Sequence, residues 1–451
     1  MLTNHLEIKD TCLFQDFEIL QNLINFRINN LIQKDQKELI PENINFTVPD
    51  DSPYGRIIQT HTLTALERIT LATSLAPTLY PGLLDDLVIQ CESKNHILSY
   101  VGGITGNTKN YHGLIPTIET VLFILAGDDA IQRIGLLKYF HTNCKLVQHN
   151  LIEFFNPSPI DPFTSKAVLP TQETIHFIAT AKSFKPEYTT SFPASILESR
   201  QEWSDLILNE KTIEEIEEIN AWIKHGKKVL YNYGLSKKIK LGYRALFYGP
   251  PGTGKTLTAA LLGKANNLDV YRIDLSMVVS KYIGETEKNL ANIFNRAERQ
   301  NWILFFDEAD ALFGKRTQAK DAHDRYANQE ISYLLQRIED YPGLIILATN
   351  LKNNMDDAFT RRFQSFIHFQ MPDHTMRLDL WKNSLPIEMK LDEDVNLKTI
   401  AENYELSGGS ITNVIRYVSL MAVNREDFIL RKEDFIKGIA KEYNKDGKTL
   451  P

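Results

Sequence analysis

One octet constrains this chain more than any other feature. Gly249-Pro250-Pro251-Gly252-Thr253-Gly254-Lys255-Thr256 fits the pattern G-x-x-x-x-G-K-[ST]. It follows an apolar run at residues 245–248 and leads into a helical pattern over 257–264. A buried strand, a glycine loop and a helix in that order make a phosphate cradle. The glycines let the backbone curl so that its N–H groups point inward at phosphate oxygens, and the helix start adds positive potential. In such a loop Lys255 reaches the β- and γ-phosphates, and the Thr256 hydroxyl is placed to ligate Mg²⁺.

The surrounding pattern fits that reading. Apolar runs at 244–248, 270–275, 303–306, 345–348 and 366–369 alternate with helical periodicity. Strands alternating with helices imply an α/β layer fold around a mostly parallel sheet. From about Pro372 the pattern is mainly helical, as in a small closing domain. Residues 303–310, Ile-Leu-Phe-Phe-Asp-Glu-Ala-Asp, read as a buried strand ending in carboxylates. They fall at the carboxyl edge of the sheet, where the phosphate loop also lies and where open α/β sheets bind ligands. There Asp307 is expected to hold Mg²⁺ through its shell, and Glu308 to take a proton from an attacking water. Asn350 ends another strand at the same edge and can orient that water or touch the γ-phosphate. Arg361 and Arg362 lie side by side in a short segment, Asp357-Ala358-Phe359-Thr360-Arg361-Arg362-Phe363.

The rest of the chain excludes more than it assigns. With 451 residues, 43% hydrophobic and 24% charged, it is ordinary globular material for two or three domains. The net charge of −7 lacks the bulk positive field of non-specific DNA binders. Residues 1–195 hold 14 Lys and Arg against 20 Asp and Glu, so most of the excess negative charge is in the first part and two modules with different surfaces are expected. Cys12, Cys91 and Cys144 are odd in number and far apart, which fits a reducing compartment better than a disulfide framework. No secretory signal and no apolar run approaching ~20 residues is visible, so a cytoplasmic protein is expected.

In the first module, Leu13, Phe17, Leu20, Ile24, Ile28 and Leu31 recur at three- and four-residue steps. They predict an amphipathic helix packed on its own domain. Helical periodicity recurs at 62–79 and 116–126. The stretch 101–110, Val-Gly-Gly-Ile-Thr-Gly-Asn-Thr-Lys-Asn, lacks a Gly-Lys-Thr ending and an apolar lead-in, and reads as a turn-rich loop. His112, His141, Cys144 and His149 lack the paired close spacings of a zinc site and read as ordinary core or surface residues. Pro157, Pro159, Pro162 and Pro170 mark a loop.

In their order, the phosphate loop, the carboxylate strand, Asn350 and the arginine pair resemble the AAA+ ATPase family, over residues 203–448. The resemblance includes Ser280-Lys281-Tyr282-Ile283-Gly284-Glu285, similar to the first pore loop of the AAA clade. It implies an α/β P-loop NTPase core (196–371), a C-terminal helical lid (372–451) and an N-terminal, mainly helical α+β recognition domain (1–195) with a winged-helix-like part. It also implies ATP and Mg²⁺ as cofactors and a homohexameric ring. Lys281, Tyr282, Ile283 and Gly284 would line its channel, with Tyr282 gripping an extended polypeptide. Asn350 would be the first sensor, and one of Arg361 and Arg362 the finger that acts on a neighbouring subunit's ATP. In this family the two arginines are usually separated by a few residues; here they are adjacent. Gly408 and Gly409 fall where the family's lid meets the adenine, although Gly409 and Ser410 replace its Ala and Asp.

No HExxH motif and no hydrophobic–Tyr–X tail occur, so remodelling or disassembly of protein substrates is favoured over a protease component. The whole chain is similar to bacterial AAA ATPases encoded beside phage-tail-like contractile injection systems, which implies a role in assembling or recycling such particles. No membrane and no nucleic-acid partner is expected. The alternatives are a nucleic-acid-stimulated motor and an ATP-dependent assembly scaffold that does not thread.

Overall fold

The computed structural model describes residues 11–33, 46, 48–92, 101–105, 113–141, 144–155, 160–190, 192–275, 285–309, 322–350, 361–445 and 447–449. The chain divides into two compact units, Met1–Lys185 and Pro186–Pro451. No helix among the described residues is long and apolar enough to cross a membrane.

The first unit is mainly helical. Its helices are α1 (Thr11–Gln33), α2 (Pro53–His61), α3 (Ala65–Leu79), α4 (Gly82–Glu92), α5 (Ile118–Ala126), α6 (Ala130–Leu137), α7 (Lys145–Gln148) and α8 (Gln172–Thr180). Two small antiparallel pairs join them, β1 (Ile104–Thr105) with β2 (Leu114–Ile115) and β3 (Ile152–Phe155) with β4 (Ala167–Pro170). The expected apolar stripe of α1 packs inward: Leu13, Phe17, Leu20, Ile24 and Ile28 share one core with Ile69, Leu71 and Leu75 of α3. Thr64 starts α3 with a reciprocal capping box to Glu67. Pro170 closes β4 rather than lying in a loop. At a strand's end a residue without an N–H removes no inner ladder bond.

The second unit is built on a six-stranded sheet. In chain order it runs β5 (Ala194–Ile196), α9 (Glu210–Tyr231), β6 (Tyr243–Tyr248), α10 (Lys255–Asn266), β7 (Val270–Asp274), α11 (Glu285–Gln300), β8 (Ile303–Asp307), α12 (Ala322–Asp340), β9 (Leu344–Thr349) and β10 (Ser365–His368). The spatial order is β10-β6-β9-β8-β7-β5. The first five strands are parallel, and β5 pairs antiparallel with β7 at one edge.

Burial on both faces explains why β6, β8 and β9 read as unbroken apolar runs rather than alternating ones. Leu246, Leu304, Phe306 and Leu347 pack on one face against Leu290, Ile293 and Phe294 of α11 and Leu334 and Ile338 of α12. Ala245, Phe247, Ile303, Phe305 and Ile346 pack on the other against Ile216 and Ile219 of α9 and Ala259 and Leu262 of α10. The strand β5 straddles the expected boundary at 195, so residues on both sides of it belong to this sheet.

The chain then becomes helical, with α13 (His374–Ser384), α14 (Leu397–Asn403), α15 (Gly408–Arg425) and α16 (Lys432–Lys445). One short parallel pair, β11 (Lys390–Leu391) with β12 (Ile429–Leu430), ties them. Trp381, Ile411, Val414, Val418, Phe435 and Ile439 form their own core.

Candidate active site

Because β6, β8 and β9 are parallel neighbours, their carboxyl ends bring residues 249–254, Asp307–Glu308 and Asn350 to one edge. The loop turns where only glycine fits. Gly249 has φ +143°, and a Cβ there would stand 2.0 Å from the Phe369 carbonyl oxygen. Gly252 has φ +74°, and its Cβ would meet Ser407 Oγ at 2.5 Å. The loop is thus pressed against the segment that starts α15. The Gly409 N–H donates to the Gly252 carbonyl at 3.0 Å, which clasps the glycine loop to the helical part. Within the loop, Thr253 Oγ1 donates to the Pro250 carbonyl at 2.8 Å.

Gly254 precedes α10 and offers no capping side chain. The first residues of that helix, Lys255, Thr256 and Leu257, line the cleft, so the positive end of the helix dipole falls where an anionic ligand would sit. Lys255 is 8% exposed. Its Nζ donates to the carbonyls of Gly249 (2.7 Å) and Pro250 (2.9 Å) and to Asn350 Oδ1 (3.0 Å). The ammonium therefore bridges the loop after β6 to the end of β9.

At the end of β8, Asp307 Oδ1 accepts the Glu308 N–H at 3.0 Å, and Oδ2 pairs with Arg272 of β7 at 2.9 Å. Glu308 adopts φ +51°, a left-handed conformation that costs a non-glycine residue roughly 1–2 kcal/mol. The next residue is anchored, its N–H donating to the Ala348 carbonyl at 2.9 Å. The bend leaves the Glu308 side chain exposed on the cleft wall.

The cleft has a volume of about 430 Å³, within the range of small-molecule sites. Pro251, Gly252, Thr253, Gly254, Lys255, Thr256, Asp307, Glu308, Asn350, Gly408 and Gly409 all line it. Gly249 and Pro250 enter through their carbonyls' bonds to Lys255. Leu206, Ile207, Met376 and Leu380 add apolar surface to its lining.

Sequence reasoning missed the strap at 201–207. Its Gln201, Asp205, Leu206 and Ile207 line the cleft, and Leu206 Cδ1 would stand 2.8 Å from a Cβ on Gly254. Lys264 of α10 fixes the strap through the Gln201 carbonyl (3.2 Å) and Glu202 Oε1 (2.6 Å). The signal available was the apolar triplet Leu206-Ile207-Leu208 just before Asn209, the N-cap of α9.

The arginine pair is not part of this cleft. Arg361 and Arg362 precede β10, whose Ser365 lies opposite Ala245 and whose His368 lies opposite Tyr248, the residue before the loop. At about 3.3 Å per residue, the four residues of β10 alone put more than ~10 Å between the pair and its own phosphate loop. Arg362 Nε pairs with Glu339 near the end of α12. Arg361 is exposed and has no ion-pair partner among the described residues. Lys281, Tyr282, Ile283 and Gly284 lie outside the described residues.

Residues 245–371 match the family described as "ATPase family associated with various cellular activities (AAA)". The chain carries an AAA ATPase domain. That AAA domain holds the glycine loop's helix, the carboxylates, Asn350 and the arginine pair, and the lid glycines follow it. A proteasome-activating nucleotidase of Methanococcus maripaludis is 33% identical over 204 residues, 44% of this chain and 50% of that one. Cell division protein C of Sulfolobus acidocaldarius is 36% identical over 209 residues, 41% of this chain and 55% of that one. ATPase family gene 2 protein of Schizosaccharomyces pombe is 35% identical over 188 residues, 40% of this chain and 23% of that one. The chain thus spans about half the length of the first of these relatives.

Proposed function

We propose that this chain hydrolyses ATP at the seams of a homohexameric ring and uses the energy to remodel protein substrates. One observation carries the reading: Lys255, Thr256, Asp307, Glu308 and Asn350 converge on one cleft while Arg361 stands exposed at the other end of the same sheet. A chain built that way holds a nucleotide with one surface and can complete a neighbour's site with another. Such a head-to-tail contact closes into a ring.

In the cleft, the positive end of α10 and the loop bind the phosphates, and Lys255 adds charge at their β/γ end. The apolar residues Leu206, Ile207, Met376 and Leu380 suit the flat base. Thr256 and Asp307 offer hard oxygen donors that fit Mg²⁺, which when bound neutralises charge on the phosphate oxygens. Glu308 accepts the proton of the attacking water. Asn350, already tied to Lys255, orients that water. Arg361 of a neighbouring copy stabilises charge on the transferring phosphoryl group.

The test is Glu308→Gln, which retains shape and hydrogen-bonding while removing the base. ATP binding by this variant should stay within a few-fold of the parent while phosphate release falls by about 10²–10⁴. Parent-like turnover would remove Glu308 from the mechanism. Threading through Tyr282 is tested by Tyr282→Ala, which should hydrolyse ATP yet fail to unfold a protein substrate. Components of a phage-tail-like contractile injection particle are the substrates we infer from the likeness of the whole chain. They should be retained by the Glu308→Gln ring in ATP and released in ADP.

A further inference from the structure

We propose that Arg272 is a positioning residue that shares Asp307 with Mg²⁺ and so sets how tightly the cleft holds Mg²⁺ and the nucleotide bound with it. This rests on the nucleotide reading of the cleft. Arg272 lies in β7, opposite Phe305 of β8, with Asp274 opposite Asp307. Its neighbours Tyr271 and Ile273 enter the core beneath α11 and α12. By the two-residue period of a strand, Arg272 points to the other face, the one that carries α10 and the phosphate loop. From there its guanidinium reaches forward to the carboxyl edge and holds Asp307 Oδ2 at 2.9 Å.

The strand order puts this cation on one flank of Asp307 and Lys255 on the other. β7 borders β8 on the side away from β9, and Lys255 reaches Asn350 at the end of β9. The Arg272–Asp307 pair is a poor folding device, because its side chains are 44% and 20% exposed and such pairs add little to stability. The sheet already fixes β7 by pairing it on both edges. The pair does act on the carboxylate. One oxygen serves the Glu308 N–H and the other a fixed positive charge. A divalent ion drawn to that carboxylate meets the repulsion of a guanidinium one hydrogen bond away, screened only in part by solvent. Arg272 therefore holds the metal's hold on the site down, and it offers Asp307 a counter-charge as Mg²⁺ and product depart.

The experiment uses the full chain, a fluorescent ADP and stopped-flow release, in Mg²⁺ and in EDTA. Arg272→Gln keeps a donor but loses the charge; Arg272→Lys keeps the charge. The Gln variant should need about fivefold less Mg²⁺ for half-maximal nucleotide retention, and should release ADP slower by a similar factor, as removal of one partly screened charge predicts. In EDTA its release should match the parent, and the Lys variant should match the parent in both buffers. An Mg²⁺ midpoint that stays or rises in the Gln variant would overturn the proposal. So would an equal change in EDTA, or a Lys variant that behaves like Gln. These outcomes leave the nucleotide site standing, whereas a parent chain that retains no ADP in either buffer sinks both.

Discussion

Arg361 and Arg362 are adjacent in sequence and unlike in surroundings. Arg362 is tied to Glu339 of its own chain, whereas Arg361 is exposed with no such tie among the described residues. A guanidinium already engaged must break a bond before it can serve another subunit, so under the proposed function Arg361 is the better candidate for the finger. Arg361→Ala should lower turnover of the assembled protein by about 10³-fold or more, the range for loss of an arginine finger, with unfolding temperature unchanged. Arg362→Ala should show the smaller kinetic loss and cost less than about 1 kcal/mol of stability, since its pair is one-third exposed on each side. Phosphate release and thermal melts on both variants decide it, and a larger kinetic loss at 362 would reverse the assignment. The sequence offered no basis for this choice, because Glu339 lies 23 positions away and only the fold brings it to Arg362.

Among elements, what was legible depended on how much of the physics is local. Strands β6, β8 and β9 were readable because burial on both faces makes each largely an apolar run, and the glycine loop because its conformation demands its residues. β5 was not readable: three residues, Ala194–Ile196, carry no period, and their place comes from pairing with β7. The pairing of Arg272 with Asp307 exists only because β8 lies beside β7, which no local pattern encodes. The buried tie between α1 and α3 was hidden for the same reason. Arg68 donates through Nε (3.0 Å) and Nη2 (2.6 Å) to Asp16, which also accepts from Tyr54 Oη at 2.8 Å, all three residues being buried. Asp16→Ala takes the carboxylate away from a buried guanidinium and should destabilise the first unit by about 3–5 kcal/mol, while Asp16→Leu with Arg68→Met should recover much of it. Thermal unfolding of the full chain, followed through its first-unit transition, reads this out. A second contact makes a pH prediction. The ring of His61, the last residue of α2, lies 4.3 Å from that of His149, and burial, His149 and Lys145 together lower the His61 pKa. The folded state therefore favours neutral His61, and its stability contribution is lost as pH falls below the ordinary value of about 6.5. Hydrogen-exchange protection of α2, corrected for intrinsic rates, should drop between about pH 7.5 and 5.5 in the parent and stay flatter in His61→Gln.

At the scale of the whole molecule the parallel sheet keeps apart the two groups of residues that the proposed reaction needs. Its carboxyl edge carries the phosphate loop, Asp307, Glu308 and Asn350, and the approach to β10 at its other edge carries Arg361. The two ends of a strand cannot meet within one rigid sheet, so under the function proposed above a complete site needs two copies in head-to-tail contact. Complementation tests that geometry without knowledge of the substrate. Glu308→Gln lacks the base but presents Arg361; Arg361→Ala lacks the finger but presents Glu308. Alone, each variant should be nearly inactive. Mixed in equal amounts and allowed to exchange subunits, they form some seams in which an intact cleft faces an intact arginine. Random arrangement makes about a quarter of the seams competent, so the mixture should recover up to about that share of parental ATP turnover, and dilution that breaks the ring should abolish it. A chain that completed its own site would gain nothing on mixing, because every molecule present would still lack one essential group.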